Sequence, residues 1–229
     1  MKKTIRHAFI TSLPVMAGYV VLGIGFGLML YNAGYSWIWA LLMSVTIYAG
    51  SMQYVGVSLI SMGAGLLSVA VTTLMVNARH LFYGISMVEK YRDTGKRKPY
   101  LIFALTDETY SLVCSPTLPE GVDRKNFYLF LSAMNQCYWI AGSLIGAVLG
   151  SVLPFSTAGV DFSMTALFTL VVVEQWEKAH DHLPALLGFG ISLACLLIFG
   201  TSNFLIPSMI GITAALFLVR PILERRKAS

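Results

Sequence analysis

Apolar residues run along this 229-residue chain in long blocks separated by short polar or charged stretches. No Asp, Glu, Lys or Arg occurs from Ala8 to Ala78, from Asn126 to Val160 or from Leu183 to Val219. About 20 apolar residues cross a bilayer as a helix, so these blocks predict several crossings. Eight apolar segments stand out: Leu13–Tyr31, Trp37–Met62, Leu66–Val88, Tyr100–Cys114, Phe127–Leu149, Phe162–Trp176, Leu183–Phe199 and Phe204–Val219. Runs such as LLSVAVTTLMV do not alternate as the strands of a membrane barrel do. The pattern predicts one all-α integral membrane domain over residues 1–229, a polytopic transmembrane helical bundle of about 6–8 segments.

Composition agrees. Hydrophobic residues make up 56% and charged residues only 12%, where a soluble domain carries about 25% charged. The net charge of +5 is no nucleic-acid footprint, because twelve of the sixteen basic residues fall in three clusters. These are Lys2, Lys3, Arg6; Lys90, Arg92, Lys96, Arg97, Lys98; and Arg220, Arg225, Arg226, Lys227. Basic flanks beside apolar segments are cytoplasmic by the positive-inside rule, which places the N-terminus, the Glu89–Pro99 loop and the C-terminus there. The N-terminal stretch is too long and lacks a small-x-small site, so it reads as a retained helix rather than a signal peptide. Cys114, Cys137 and Cys195 are isolated, without disulfide or metal-ligand spacing.

Orientation constrains the count. With the N-terminus and the Glu89–Pro99 loop on one side, Trp37–Met62 and Leu66–Val88 cannot both cross after Leu13–Tyr31. Trp37–Met62 is the segment expected to be incomplete, since YAGSMQYVG interrupts it, and irregular backbone at that depth must be buried or line a wet cavity. Tyr100–Cys114 is then expected to leave the cytoplasm and Phe127–Leu149 to return, with Phe162–Trp176 incomplete in its turn. The stretches from Met16 and Ile140 also match: Ala17-Gly18 with Ala141-Gly142, Ala33-Gly34 with Ala158-Gly159, Ala40-Leu41 with Ala166-Leu167. Duplication and the chance likeness of Gly/Ala-rich helices both account for this. As a duplication it gives repeats 13–99 and 127–220 in opposite senses, the inverted, interrupted-helix plan of secondary transporters.

Gly23, Gly25 and Gly27 sit inside a membrane helix without a preceding strand, so they favour close helix packing over a phosphate loop. The candidate chemistry lies in Asn77-Ala78-Arg79-His80 and in Thr106-Asp107-Glu108, charges set inside apolar segments. Arg79 is about nine residues, or ~14 Å, before the basic loop, so snorkelling to the headgroups competes with a role inside the bundle. Asp107 and Glu108 lie at matching distance beyond that loop. One acid can pair with Arg79 while the other, or His80, carries a proton; a purely structural ion pair remains the other reading. Gly50, Ser51 and Gln53 at the break can present backbone and side chain to a substrate, and Asn77, Asn135 and Gln136 add polar groups between helices. Asp161 reads as a helix cap, and Glu174, Glu177, His180, Asp181 and His182 as a solvated run. No cofactor and no metal is expected.

These residues, with Pro14 through GIGFG, AGSMQY at Ala49–Tyr54, NARH followed by Tyr83, TDE at Thr106–Glu108 and GVDFSMTALF at Gly159–Phe168, resemble the AzlC family. That family is the large subunit of bacterial branched-chain amino-acid exporters of the AzlC/AzlD and YgaZ/YgaH type. Ala78 departs mildly from its NARH pattern, where Leu is frequent. The resemblance implies a permease of the bacterial cytoplasmic membrane exporting valine, leucine or isoleucine, paired with a small AzlD-type membrane subunit. A secondary transporter, with proton exchange, is the expected function; an ion channel or an intramembrane enzyme are the alternatives. A zwitterion needs a cation for its carboxylate and acceptors for its ammonium, which Arg79 with Asp107 or Glu108 supply. Substrate identity, coupling ion and oligomeric state are open.

Overall fold

An apolar chain in lipid closes its backbone hydrogen bonds locally, as helices. The computed structural model describes residues 1–114, 118–152 and 181–228, with Thr165, Thr169, Val172, Val173, Trp176, Glu177 and Ala179. Every regular element among the described residues is helical. They fall into two compact units, Met1–Leu167 and Phe168–Ser229, each taken by itself.

The first unit contains α1 (Lys2–Asn32), α2 (Trp37–Thr46), α3 (Gly50–Ser61), α4 (Leu66–Met87), a 3-10 turn at Arg92–Arg97, α5 (Lys98–Phe103), α6 (Asp107–Val113) and α7 (Arg124–Val152). Among the described residues two stretches are long and apolar enough to cross a membrane: α1, and Leu183–Gly200 in the second unit.

α1 and α7 form the spine. The His7 and Phe127 rings lie 5.5 Å apart, Tyr19 and Trp139 5.6 Å, and a Cβ on Gly150 would press on Tyr31. Contacts that ascend together on both helices mean that the two run in the same sense. Between them, a Cβ on Gly23 would come within 3.0 Å of Gly142 Cα, and Gly27 and Gly146 are enclosed just as tightly by the facing backbone. Small residues let membrane helices approach this closely.

α2 and α3 turn back on each other. In a straight helix residues 43 and 56 would stand about 20 Å apart; instead a Cβ on Gly56 would lie 3.9 Å from Met43 Cε, and Gln53 Nε2 donates to Ser44 Oγ at 3.3 Å. α2 descends from the C-terminal end of α1 until the Val45 carbonyl meets Gln136, and α3 climbs again, Tyr54 donating to the Leu22 carbonyl at 2.6 Å. The turn is made at Ile47–Ala49, with Tyr48 at φ 44. That is left-handed space that bulky residues rarely enter. The expected interruption of Trp37–Met62 is therefore present, just ahead of the glycine that announced it.

Tyr100–Cys114 departs from expectation. It does not run through as one crossing: α5 rises from the basic loop, the chain turns at Ala104–Thr106, and α6 returns to the same end. Leu101 of α5 and Val113 at the end of α6 share one core with Ala8, Met87, Tyr91, Phe127 and Tyr128. Lys90 reaches the Cys114 carbonyl, Lys3 the Glu120 carbonyl, and Arg97 donates to Asn126 Oδ1 at 2.7 Å. α7 consequently starts at the end where α1 starts. The helices that open the stretches 13–99 and 127–220, α1 and α7, thus run in the same sense. The opposed pair lies earlier in the chain: α1 with hairpin α2–α3, and α4 with hairpin α5–α6, entering from opposite ends.

In the second unit, α8 (Leu183–Asn203) is broken at Gly200, φ 71, and followed by α9 (Leu205–Ala228). Asp181 Oδ1 accepts from Leu183 N at 2.9 Å, and the Trp176 and His182 rings stack 4.1 Å apart. Asp161, Glu174, His180 and most of Phe162–Trp176 lie outside the described residues.

Candidate functional site

The two hairpin tips converge midway along α1, α4 and α7. Tyr48 of one tip packs against Phe103 of the other, ring centroids 6.3 Å apart. α3 opens at Gly50 with Ala49 at its cap position and no side-chain cap. α6 opens with a capping threonine, Thr109 N donating to Thr106 Oγ1 at 3.3 Å, and carries Asp107 and Glu108 in its first turn.

Arg79 reaches both tips from α4. Its Nη1 donates to Asp107 Oδ2 and its Nη2 to Ser51 Oγ. Among the described residues this is the only ion pair. The pair is not sealed: the side chains keep 33% and 21% of their surface exposed. It is also incomplete. Arg79 Nε and Asp107 Oδ1 are buried atoms without a hydrogen bond of ordinary geometry, though the Tyr83 hydroxyl lies beside Asp107. A guanidinium and a carboxylate each with an unfilled position can take a second, zwitterionic partner.

Glu108 makes a different connection. The Tyr19 hydroxyl donates to Glu108 Oε2 at 2.7 Å and bonds Thr106 Oγ1 at 2.6 Å. Thr106 Oγ1 donates to Thr109 Oγ1 at 3.0 Å, and Asn135 Nδ2 donates to Thr109 Oγ1 at 3.0 Å. Asn135 is fully buried and its Oδ1 has no partner. The Tyr48 hydroxyl lies beside Tyr19 and Thr109 without completing an ordinary bond.

The remaining sequence candidates brace this centre or stand apart from it. Gln53 accepts from Trp139 Nε1 at 2.9 Å, with Gly50 tight against the same indole. Gln136 accepts from the Tyr100 hydroxyl at 2.8 Å. Asn77 Oδ1 is buried without a partner. His80 turns back on its own helix, Nδ1 being 3.3 Å from the Asn77 carbonyl and the ring edge-on to Tyr83 at 5.9 Å; no hydrogen bond joins it to either acid. Tyr19, Tyr48, Thr109 and Trp139 belong to the centre and were not read from the sequence, while Thr106 stood out there only as the residue ahead of the two acids. Thr106 had a signal, a Thr cap followed by two acids; a tyrosine in an apolar helix has none.

Known proteins supply the context. A family model described as AzlC protein matches residues 14–153. The chain is 44% identical over 224 residues to the branched-chain amino acid transport protein AzlC of Bacillus subtilis (strain 168), covering 98% of this chain and 88% of that one. It is 40% identical over 222 residues to an uncharacterized membrane protein of Helicobacter pylori (strain ATCC 700392 / 26695), covering 97% of each. With the inner membrane protein YgaZ of Escherichia coli (strain K12) it shares 28% over 177 residues, covering 74% of this chain and 72% of that protein. No solved structure matches it. The matched stretch takes in both hairpins and the side chains that meet between them, and the chain belongs to the AzlC family.

Proposed function

We propose that this protein is a single-domain permease of the bacterial cytoplasmic membrane that exports branched-chain or other hydrophobic amino acids in exchange for protons. In this reading it works with a small AzlD-type membrane subunit. The observation that carries it is Arg79 held between two hairpin tips by both terminal nitrogens, with its Nε and the Oδ1 of Asp107 left unfilled. A free amino acid presents one carboxylate and one ammonium. Arg79 and the uncapped start of α3 at Gly50–Ser51 suit the first, while Asp107 and Asn135 suit the second. Apolar surroundings suit an aliphatic side chain. The name of the Bacillus relative, branched-chain amino acid transport protein, supports the substrate class.

The test is counterflow in proteoliposomes preloaded with leucine, with and without the co-expressed small subunit. Labelled leucine should accumulate transiently, more with the subunit present, and an inward proton gradient should accelerate net efflux. No accumulation in either preparation rules the permease out.

A further inference from the structure

Glu108 and Asp107 are neighbours in sequence, yet the structure uses them differently. Asp107 is bound to a cation. Glu108 is partly buried, is bound by one phenol, and lies in no ion pair. An ionised carboxylate withdrawn from water without a cation is costly, whereas a carboxyl that alternates between neutral and ionised suits such a place. The groups facing it are Tyr19 from α1, Tyr48 from the α2–α3 turn, Arg79 and Tyr83 from α4, and Asp107 beside it. α7 contributes the uncharged Asn135, through Thr109.

We propose that Glu108 is the proton site of this carrier, separate from the Arg79–Asp107 substrate site, and that Tyr19 is its positioning residue and the latch of hairpin α5–α6. This rests on the permease reading above and deepens it. Two observations converge. The first is the hydroxyl chain Tyr19–Thr106–Thr109. Hydroxyls both donate and accept, so the chain serves both states of Glu108. With the acid protonated, Glu108 donates to Tyr19, Tyr19 to Thr106 and Thr106 to Thr109; with it ionised, Tyr19 donates to Glu108 and the Thr106 hydroxyl turns from Thr109 to Tyr19. The second is where the partners stand. Tyr19 is on α1, while Thr106 and Glu108 are on the tip of α5–α6, so the tip cannot leave the centre without breaking both Tyr19 bonds. Glu108 then meets water from the basic end.

The opposite hairpin is held in the same manner, the start of α3 being bound through Ser51 to Arg79 on α4. Each tip is thus latched to the long helix of the other half, one by a phenol on a carboxyl and one by a guanidinium on a hydroxyl. A substrate carboxylate competes for the second latch and a proton for the first. One proton is taken from water at one face and handed to water at the other, with no bond but O–H made or broken.

The experiment uses Glu108→Gln and Tyr19→Phe in the full chain, co-expressed with its small subunit, with leucine as probe. Glu108→Gln should keep leucine–leucine counterflow, which needs no net proton movement, and lose acceleration by a pH gradient. Tyr19→Phe keeps the ring and should shift the pH midpoint of net flux while counterflow persists. A wild-type response to the gradient in Glu108→Gln overturns the proposal. Loss of counterflow in that variant also overturns it, making Glu108 a substrate ligand. An unchanged pH profile in Tyr19→Phe removes Tyr19 from the site. Failure of wild-type protein to show counterflow defeats the permease reading itself, and this inference with it.

Discussion

Arg79 divides its fork between two elements, Asp107 at the start of α6 and Ser51 at the start of α3, and that division distinguishes a guanidinium from an ammonium. Lysine offers a point charge that cannot span two directions in one plane. Arg79→Gln should weaken leucine binding about 30-fold or more, as the loss of a partner from a charged hydrogen-bonded pair costs about 2 kcal/mol or more. Arg79→Lys should restore part of that binding but little of the transport, since one tip is left unheld. Radioligand binding in detergent, beside counterflow, separates the two effects. Wild-type flux in Arg79→Gln would return the side chain to the headgroups, where its length also lets it reach. Much of this centre was legible from charge placement alone: an arginine and two acids at matching distances from one basic loop predicted a meeting. The sequence did not show which acid would bind the arginine, because adjacent positions on a helix point about 100° apart. Tyr19 was invisible for a different reason, being one phenol among the apolar residues of α1.

Hairpin α2–α3 announced itself through Gly50 and Ser51, residues that leave a helix readily. Hairpin α5–α6 did not. LIFALTDETY contains neither glycine nor proline, and its break rests on Thr106 capping a new helix and on Leu101, Leu105 and Val113 filling one core. Tertiary packing decided what local preference left open, and the sense of α7 changed as a result. Gly23, Gly25 and Gly27 were expected to let a helix approach closely; Gly23 and Gly27 do so against α7, and that seam carries its own prediction. A side chain at Gly146 would drive into the backbone at Ile24. Gly146→Val should therefore lower stability by about 1–3 kcal/mol or more, the range for overfilling a packed interface, seen as a lower midpoint of thermal aggregation in detergent. Gly18, with open space around it, is the control: Gly18→Ala should leave the midpoint within experimental scatter. Equal effects at the two positions would dismiss the seam.

Across the first unit, the N-terminus, the Glu89–Pro99 loop and the residues before α7 meet at one end, tied by Lys3 to Glu120 and Lys90 to Cys114. The first two carry basic residues and α7 opens with Arg124 and Lys125, so the positive-inside rule orients the unit as a body rather than loop by loop. In a cysteine-free background, single cysteines at Gly95 and Gly121 should react with a membrane-impermeant maleimide only in inverted vesicles, and cysteines at Gly34 and Gly63 only in intact cells. Labelling of Gly121 with the Gly34 group would unfold the α5–α6 hairpin into a through-going helix and restore the topology first expected.

From Ala8 to Ala78 the chain has no formal charge, so the two turns at the far end of this unit, Ala33–Ser36 and Met62–Gly65, carry none. On the permease reading proposed above, an amino acid passing these turns has no net charge of its own, and they neither draw it back nor drive it off. On that reading, holding or releasing it at this end falls to the movement of a hairpin rather than to the charge of these turns.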